Sequence, residues 1–290
     1  MPLLLAEPRI TTVLAHDLWP LPASHPRLQV FTGDIRDRAL RTLVAQADAV
    51  VHMAFVVIES HLKKARHNRA VARSINVDGT TNVLAGLSAN ARLIQVSSAS
   101  VYGTSPLPLD ETAPLHPLAG FAYARDKVDT ETLVMEAEAQ GLSALRLRPH
   151  IILGPHAQPF LRGVLRIPVY PRLRDPLPQL QLVHEFDVAT AIVSALFSDA
   201  AGALNLACQD SLSFKAMQKT LHRFPLGLPP RLLKAQARFA FHALCIGPDP
   251  AWSAGLDQSL VLDSRRAATE LLWRPRFPTV RDILKDSYGL

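Results

Sequence analysis

The sequence predicts a doubly wound α/β fold, a parallel sheet with helices on both faces. Three observations predict it. Short apolar runs rich in β-branched residues recur through the first two thirds of the chain, helical patterns separate them, and the runs read as strands buried on both faces. The strand candidates are residues 10–15 (ITTVLA), 28–32 (LQVFT), 49–53 (AVVHM), 93–97 (LIQVS) and 144–153 (ALRLRPHIIL). Helical patterns fall at 39–47, 76–88 and 123–140.

Residues 1–8 read as the tail of a helix. After Gly154 the texture changes, with prolines at 155, 159, 168, 171, 176 and 178, and residues 154–182 read as an excursion from the sheet of the kind that carries ligand-contacting loops. Strand character resumes at 182–186 and 203–207 around an amphipathic helix at 187–198. An apolar helical pattern at 231–244, with Lys234 and Arg238 interspersed, reads as a core or interface helix. The expected division is a dinucleotide-binding unit of 1–153 and 183–207, and a smaller substrate-binding lobe of 154–182 and 208–290.

Composition limits the function classes. Of 290 residues, 48% are hydrophobic and 19% charged, which excludes a disordered chain. No apolar run reaches the eighteen or so residues that span a bilayer, and MPLLLAEP carries no basic region before its apolar stretch, so a cytoplasmic protein with no membrane partner is expected. The net charge of +6 comes from scattered basic residues, not a run, so no nucleic-acid partner is expected. Cys208 and Cys245 lie far apart without a CxxC or a histidine at ligand spacing, so neither a disulfide framework nor a metal site is expected.

The chemistry is carried by a few residues. Tyr123 and Lys127 stand four apart at the start of a helical pattern, which puts both side chains on one face. A neighbouring ammonium lowers a phenol's pKa, so the tyrosine can give or take the proton that accompanies hydride movement at an adjacent carbon. Upstream, Val96-Ser97-Ser98-Ala99-Ser100-Val101-Tyr102-Gly103 leaves a buried strand for a small-residue turn, where an α/β sheet presents side chains to a ligand crevice. A hydroxyl at Ser98 there can hold the substrate oxygen; Ser98 as a simple turn former is the alternative. His52 reads as a buried strand residue, Asp187 as a helix N-cap, and His184 is undecided.

The strand-end SSASVYG followed at Tyr123 by Tyr-x-x-x-Lys resembles the extended short-chain dehydrogenase/reductases, the NAD-dependent epimerase/dehydratase family. Gly33-Asp34-Ile35-Arg36-Asp37 resembles the family's turn after its third strand, near the adenine. Val50-Val51-His52-Met53-Ala54-Phe55 is similar to its fourth strand under the cofactor, although the family more often has alanine where Phe55 stands. Asn76 to Asn82 resembles the helix behind the active site, and Leu147 to Pro155 the strand end bordering the nicotinamide. Residues 183–189 and the late Trp273-Arg274-Pro275 also fit. The resemblance implies catalysis by Ser98, Tyr123 and Lys127. It implies cofactor contacts from Asp17, Asp34, Ile35, Met53, Ala54, Phe55, Asn76, Tyr123, Lys127, Pro149, His150 and Ile151.

The family's opening strand and glycine-rich turn, whose backbone amides hold a pyrophosphate, have no counterpart; Gly33 is the first glycine in the chain. In the order 3-2-1-4-5-6 that strand is central. The expectation is either that the true start lies upstream or that this is a truncated relative with weakened cofactor binding. Asp17 falls where the family's acidic residue binds the ribose hydroxyls, which favours NAD and leaves NADP open. The resemblance implies an oxidoreductase, epimerase or dehydratase acting on a carbinol carbon of a nucleotide sugar or similar small molecule. Its alternative is a catalytically impaired module that binds a ligand or protein. A homodimer is also implied, through the helices near Asn76 and Tyr123, with apolar faces at Val83, Leu84 and Leu87 and at Val128, Leu133 and Val134.

Overall fold

The computed structural model describes residues 1–57, 69–157, 159–244 and 250–290, and only the backbone at 159–161, 242, 253, 254 and 256. The chain opens on helix α1 (Pro2–Ala6). The Arg27 guanidinium then takes the carbonyls of Leu5, Glu7 (3.0 Å) and Ile10 (2.5 Å), which holds residues 7–12 off the sheet. The first strand therefore begins later than its apolar run suggests, as β1 (Val13–Asp17).

There follow β2 (Leu28–Thr32), α2 (Ala39–Val44), β3 (Ala49–His52) and α3 (Arg69–Arg73), which continues through a π-helical turn (Ser74–Asp78) into α4 (Gly79–Leu84). Next come β4 (Arg92–Val96), the long α5 (Ala122–Ala139) and β5 (Ser143–Pro149). The single run expected at 144–153 breaks at His150, whose backbone N–H turns to Leu206 O, so β6 (Ile151–Leu153) joins another sheet. The proline-rich excursion contains α6 (Pro159–Arg166) and β7 (Val169–Pro171); β8 (Leu182–His184), α7 (Glu185–Leu196) and β9 (Gly202–Leu206) follow. The chain ends through α8 (Phe214–Thr220), β10 (Leu226–Leu228), α9 (Pro230–His242), α10 (Arg265–Glu270) and α11 (Val280–Tyr288).

Every strand pair among the described residues is parallel, as the fold class requires. The main sheet has the order β3-β4-β5-β9, with Val50 opposite Leu93, Ile94 opposite Leu145 and Leu147 opposite Leu204. β1 and β2 form a separate pair that shares no ladder with it. The expected order is thus present on both sides of its centre, and the described residues supply no strand at the centre. β1, the strand next to that centre, is half-buried, and β2, the outer strand of the pair, is mostly exposed, including Val30 and Phe31.

The principal core lies between the main sheet and α7, around Ile94, Leu145, Leu147, Ile192 and Leu204. A second core joins Leu153, Leu182, Phe214, Met217, Ile283 and Leu284. Leu271 and Trp273 pack into the first, so the residues after 208 serve both cores. The apolar positions nominated on the two helices are used largely inside the chain. Val83 packs with Ile35, Leu40 and Val44; Val134 packs with Leu93 and Ala144, and Leu84 and Leu87 lie against that cluster. Cys208 is buried with its thiol pushed up to about 12, mainly by burial, which leaves it unreactive; Cys245 lies outside the described residues.

Asp187 is not the N-cap of α7. That position is His184, whose Nδ1 accepts from Phe186 N while its Nε2 meets Asp286 and its ring stacks on Phe277 at 3.8 Å. The buried Asp187 carboxylate instead accepts from Arg276 N (2.7 Å) and Phe277 N (3.1 Å), and its carbonyl accepts from the Trp273 indole. An acid two residues inside the helix reaches the returning C-terminal loop and ties it to the main core. Asp187→Ala leaves two part-buried N–H donors without their acceptor and is expected to lower stability by about 1–3 kcal/mol. Guanidinium unfolding checks this as a fall in midpoint at unchanged slope.

Candidate active site

The site forms where β4 and β5 end. Ser97 N donates to Leu147 O, which holds the strand ends in register one step beyond the ladder. Ser98 follows in extended conformation and caps a short 3-10 turn (Ala99–Tyr102), its Oγ accepting from Ser100 N at 3.2 Å. Gly103 closes the turn at φ 78°, with His116 O where a Cβ would stand, so only glycine fits.

Tyr123 sits in the first turn of α5 and Lys127 one turn on. The Lys127 ammonium donates to Val96 O at 2.8 Å, the last carbonyl of β4, and lies 3.7 Å over the Phe55 ring and 5.8 Å from the Tyr123 ring. Its burial brings its pKa down to about 7, with Glu131 opposing. Burial pushes the Tyr123 phenol up, the Ser98 side chain beside it pulling the other way. The lowered phenol pKa expected from the sequence is therefore not found in this state, because removing the phenol from water outweighs its hydrogen bond with Ser98. Phe55, Phe121 and Trp252 surround the Tyr123 ring at centroid distances of 5.3, 5.6 and 5.2 Å.

One cavity of about 440 Å³ is lined by Ser98, Tyr123, Pro149, His150 and Ile151 among others. His150 is buried and fixed in one tautomer: Nδ1 accepts from Ile151 N, so Nε2 donates to Leu260 O at 3.1 Å. Burial holds its pKa near 4, so it stays neutral. Ser97 Oγ and Ser100 Oγ are buried at the same cavity without a hydrogen-bond partner.

The remaining candidates lie elsewhere. Asp17 ends β1, its carboxylate accepting from Trp19 N at 3.0 Å. Asp34 is held by Arg36 through two side-chain hydrogen bonds (2.9 and 2.6 Å), chiefly for which its pKa falls to about 2. The side chain of Ile35 turns into a core cluster. Met53 and Ala54 are exposed just past β3. Asn76 is buried, accepting from Val56 N (2.7 Å) and donating to Val56 O and to Asp126. Its amide pins the backbone after Phe55. His52 is a buried strand residue, as expected: its Nε2 meets Thr80 Oγ1 at 2.9 Å and burial holds its pKa near 4.

Two buried ionic nodes escaped the sequence reading. Asp126 gathers Arg69, Arg73 and Asn76 behind the site. Glu131 meets Arg148 at 2.6 Å, and Arg148 reaches Tyr102 OH, which donates to Asn205. Signals for both existed: Asp126 and Glu131 share the helical spacing of Tyr123 and Lys127, and Arg146 and Arg148 alternate in an otherwise apolar strand.

A parallel α/β sheet presenting a Ser-Tyr-Lys group at its strand ends defines a dinucleotide-dependent enzyme class. The chain belongs to the NAD dependent epimerase/dehydratase family, which it matches over residues 7–207. It is 24% identical over 267 residues to an uncharacterized protein of Mycobacterium tuberculosis, covering 88% of this chain and 69% of that one. It is 34% identical over 138 residues, 44% of this chain and 30% of the other, to 3β-hydroxysteroid-dehydrogenase/decarboxylase isoform 1 of Arabidopsis thaliana. Among solved structures it superposes on MoeE5 in complex with UDP-glucuronic acid and NAD with a TM-score of 0.73 at 21% identity, covering 99% of this chain and 94% of that one.

The residues present fit the hydride-transferring end of the family's cofactor: buried Ser97 Oγ is unpartnered, the 149–151 strand end faces the cavity, and Tyr123 and Lys127 stand together. No helix is long and apolar enough to cross a membrane, and no cluster of potential metal ligands occurs, among the described residues. Lys127 titrates near 7 when folded and near 10.4 when unfolded. Between those values the unfolded chain binds the extra proton, so this group adds stability as pH rises from about 7 to 10. Thermal unfolding is therefore expected to show Lys127→Met gaining least from that rise, its Tm relative to the wild type falling by several degrees from pH 6.5 to pH 10.

Proposed function

We propose that this protein is an NAD-dependent oxidoreductase of the epimerase or dehydratase type, acting on a carbinol carbon of a nucleotide sugar or a similar small molecule. The convergence of Ser98, Tyr123 and residues 149–151 on one cavity, with Lys127 one turn behind the phenol, carries this reading. When bound, NAD would supply the hydride acceptor or donor for the carbinol carbon. Tyr123 gives or takes the accompanying proton at the substrate oxygen, Ser98 holds that oxygen by a hydrogen bond, and Lys127 sets the charge beside the phenol. Neutral His150 and its neighbours Pro149 and Ile151 wall the nicotinamide side. On the adenosine side, Asp17, Asp34 and the backbone at Ile35, with Met53, Ala54 and Phe55 beneath, complete the cofactor contacts; Asn76 acts through Val56. Bound UDP-glucuronic acid in MoeE5 and the hydroxysteroid in the plant relative's name both present a secondary alcohol.

The separation of β1–β2 from the main sheet favours one second reading, a ligand- or protein-binding module without turnover. Tyr123→Phe decides between them, because it removes only the transferable proton. It is expected to cut kcat by about 10²–10⁴ with an unchanged circular dichroism spectrum; wild-type-like turnover in that variant rejects the assignment of Tyr123.

We further infer a cytoplasmic homodimer paired through α4 and α5. With Val83 and Val134 used inside the chain, the pairing face rests on exposed α5 positions such as Met135 and Thr132. Light scattering at micromolar concentration is expected to give twice the chain mass, and Met135→Lys to shift it toward one.

A further inference from the structure

We infer that the cavity beside Tyr123 selects a neutral, largely apolar carbinol, a secondary alcohol or its ketone carried on a hydrocarbon ring framework. This rests on the proposed carbinol chemistry and narrows its substrate class.

The wall supplies apolar contact. Leu118, Phe121, Ile152, Leu180, Trp252 and Leu260 form much of it, and no lysine or arginine lines it among the described residues. Its one carboxylate, Glu185, already accepts from His156 N (3.1 Å) and His156 Nδ1 (2.9 Å). Among the described lining residues a diphosphate would meet no lysine or arginine and one carboxylate, and charged groups need charge-assisted donors to offset their lost hydration.

Polar capacity is also small. Both His150 nitrogens are committed to the protein, and Thr104 Oγ1 is committed to Gln258. The hydroxyls facing it are those of Ser97, Ser98, Ser100 and Tyr123; Ser98 Oγ already accepts from Ser100 N and meets the Tyr123 phenol, which leaves Ser97 and Ser100 unpartnered at the end of β4. One substrate oxygen satisfies such a group. A polyhydroxylated ring would bury several hydroxyls against carbon, each at a cost of about 1–3 kcal/mol.

The step balances with the family's own co-reactant. The carbinol C–H leaves as hydride to NAD, the O–H proton passes to the Tyr123 oxygen as the phenol's own proton passes on to solvent, and the products are ketone, NADH and a proton.

The test uses the full chain in two arms. In the binding arm, ligand-observed NMR compares 2-decalone with UDP-glucose on the wild type and on Leu118→Arg. Decalone is expected to bind at least tenfold more tightly than UDP-glucose, and Leu118→Arg to weaken decalone at least tenfold. In the turnover arm, NADH formation is followed with NAD and decalin-2-ol or UDP-glucose, with a kcat/KM expected at least a hundredfold higher for decalin-2-ol. Decalone binding without turnover of any alcohol overturns the proposed function and leaves the cavity inference standing. Failure of decalone to bind, or tighter binding of UDP-glucose, overturns the inference whatever turnover shows.

Discussion

The seat of α5 against the end of β4 decides the rest of the site, and one hydrogen bond fixes it: Lys127 Nζ to Val96 O at 2.8 Å. Val96 is the last residue of its strand, so no further ladder partner is due to its carbonyl from the helix side. The ammonium fills that vacancy and in doing so sets the height of α5 along the sheet. Tyr123, one turn nearer the helix start, is thereby delivered beside Ser98, the second residue past the strand. A slip of one residue in either element would part the phenol from the serine. The positioning thus precedes the chemistry: the lysine is a structural strut before it is an electrostatic partner.

Two ionic nodes brace that strut. On one side Asp126 draws Arg69, Arg73 and Asn76 to α5, and through Asn76 it fixes Val56 and with it the ring of Phe55. On the other, Glu131 and Arg148 join α5 to β5, while Tyr102 and Asn205 extend the chain of bonds to the turn after Ser98 and to β9. Buried ion pairs contribute little net stability once desolvation is counted, but breaking one is costly. Their effect here is to specify: Asp126, Lys127 and Glu131 fall along the buried side of one helix, so α5 has a single rotation that satisfies all three.

How far the site could be read from the sequence follows from which forces are local. The strands at 28–32 and 49–52, α5 and the Ser98, Tyr123 and Lys127 spacing were legible because period and motif are properties of neighbouring residues. The start of β1 was not, since Arg27 pulls residues 7–12 away from a distance of some twenty positions. Nor was the role of Asp187, whose partners lie about ninety residues on. Val83 and Val134 show the same limit: an apolar helix face announces burial but not against what, and their own chain covers them. Ile35 and Asn76 stand in a recognisable motif, yet one side chain turns to the core and the other to the backbone of Val56. Motif identity fixed their neighbourhood without fixing their direction.

The charge state of Tyr123 and Lys127 follows from the same burial that positions them. Phe55, Phe121 and Trp252 pack around the half-buried Tyr123 ring, and Lys127 is buried between Phe55 and the strand end. The ring face under the ammonium favours the charged lysine, by about 2 kcal/mol at most. Desolvation disfavours it more, and the balance leaves the lysine poised near neutrality while the phenol keeps its proton. A neutral phenol beside an amine near its titration point is the least costly state for two groups taken out of water together. Such a state takes an uncharged oxygen beside it without further penalty, as the proposed carbinol chemistry requires, and can answer a charge that forms there by moving a single proton.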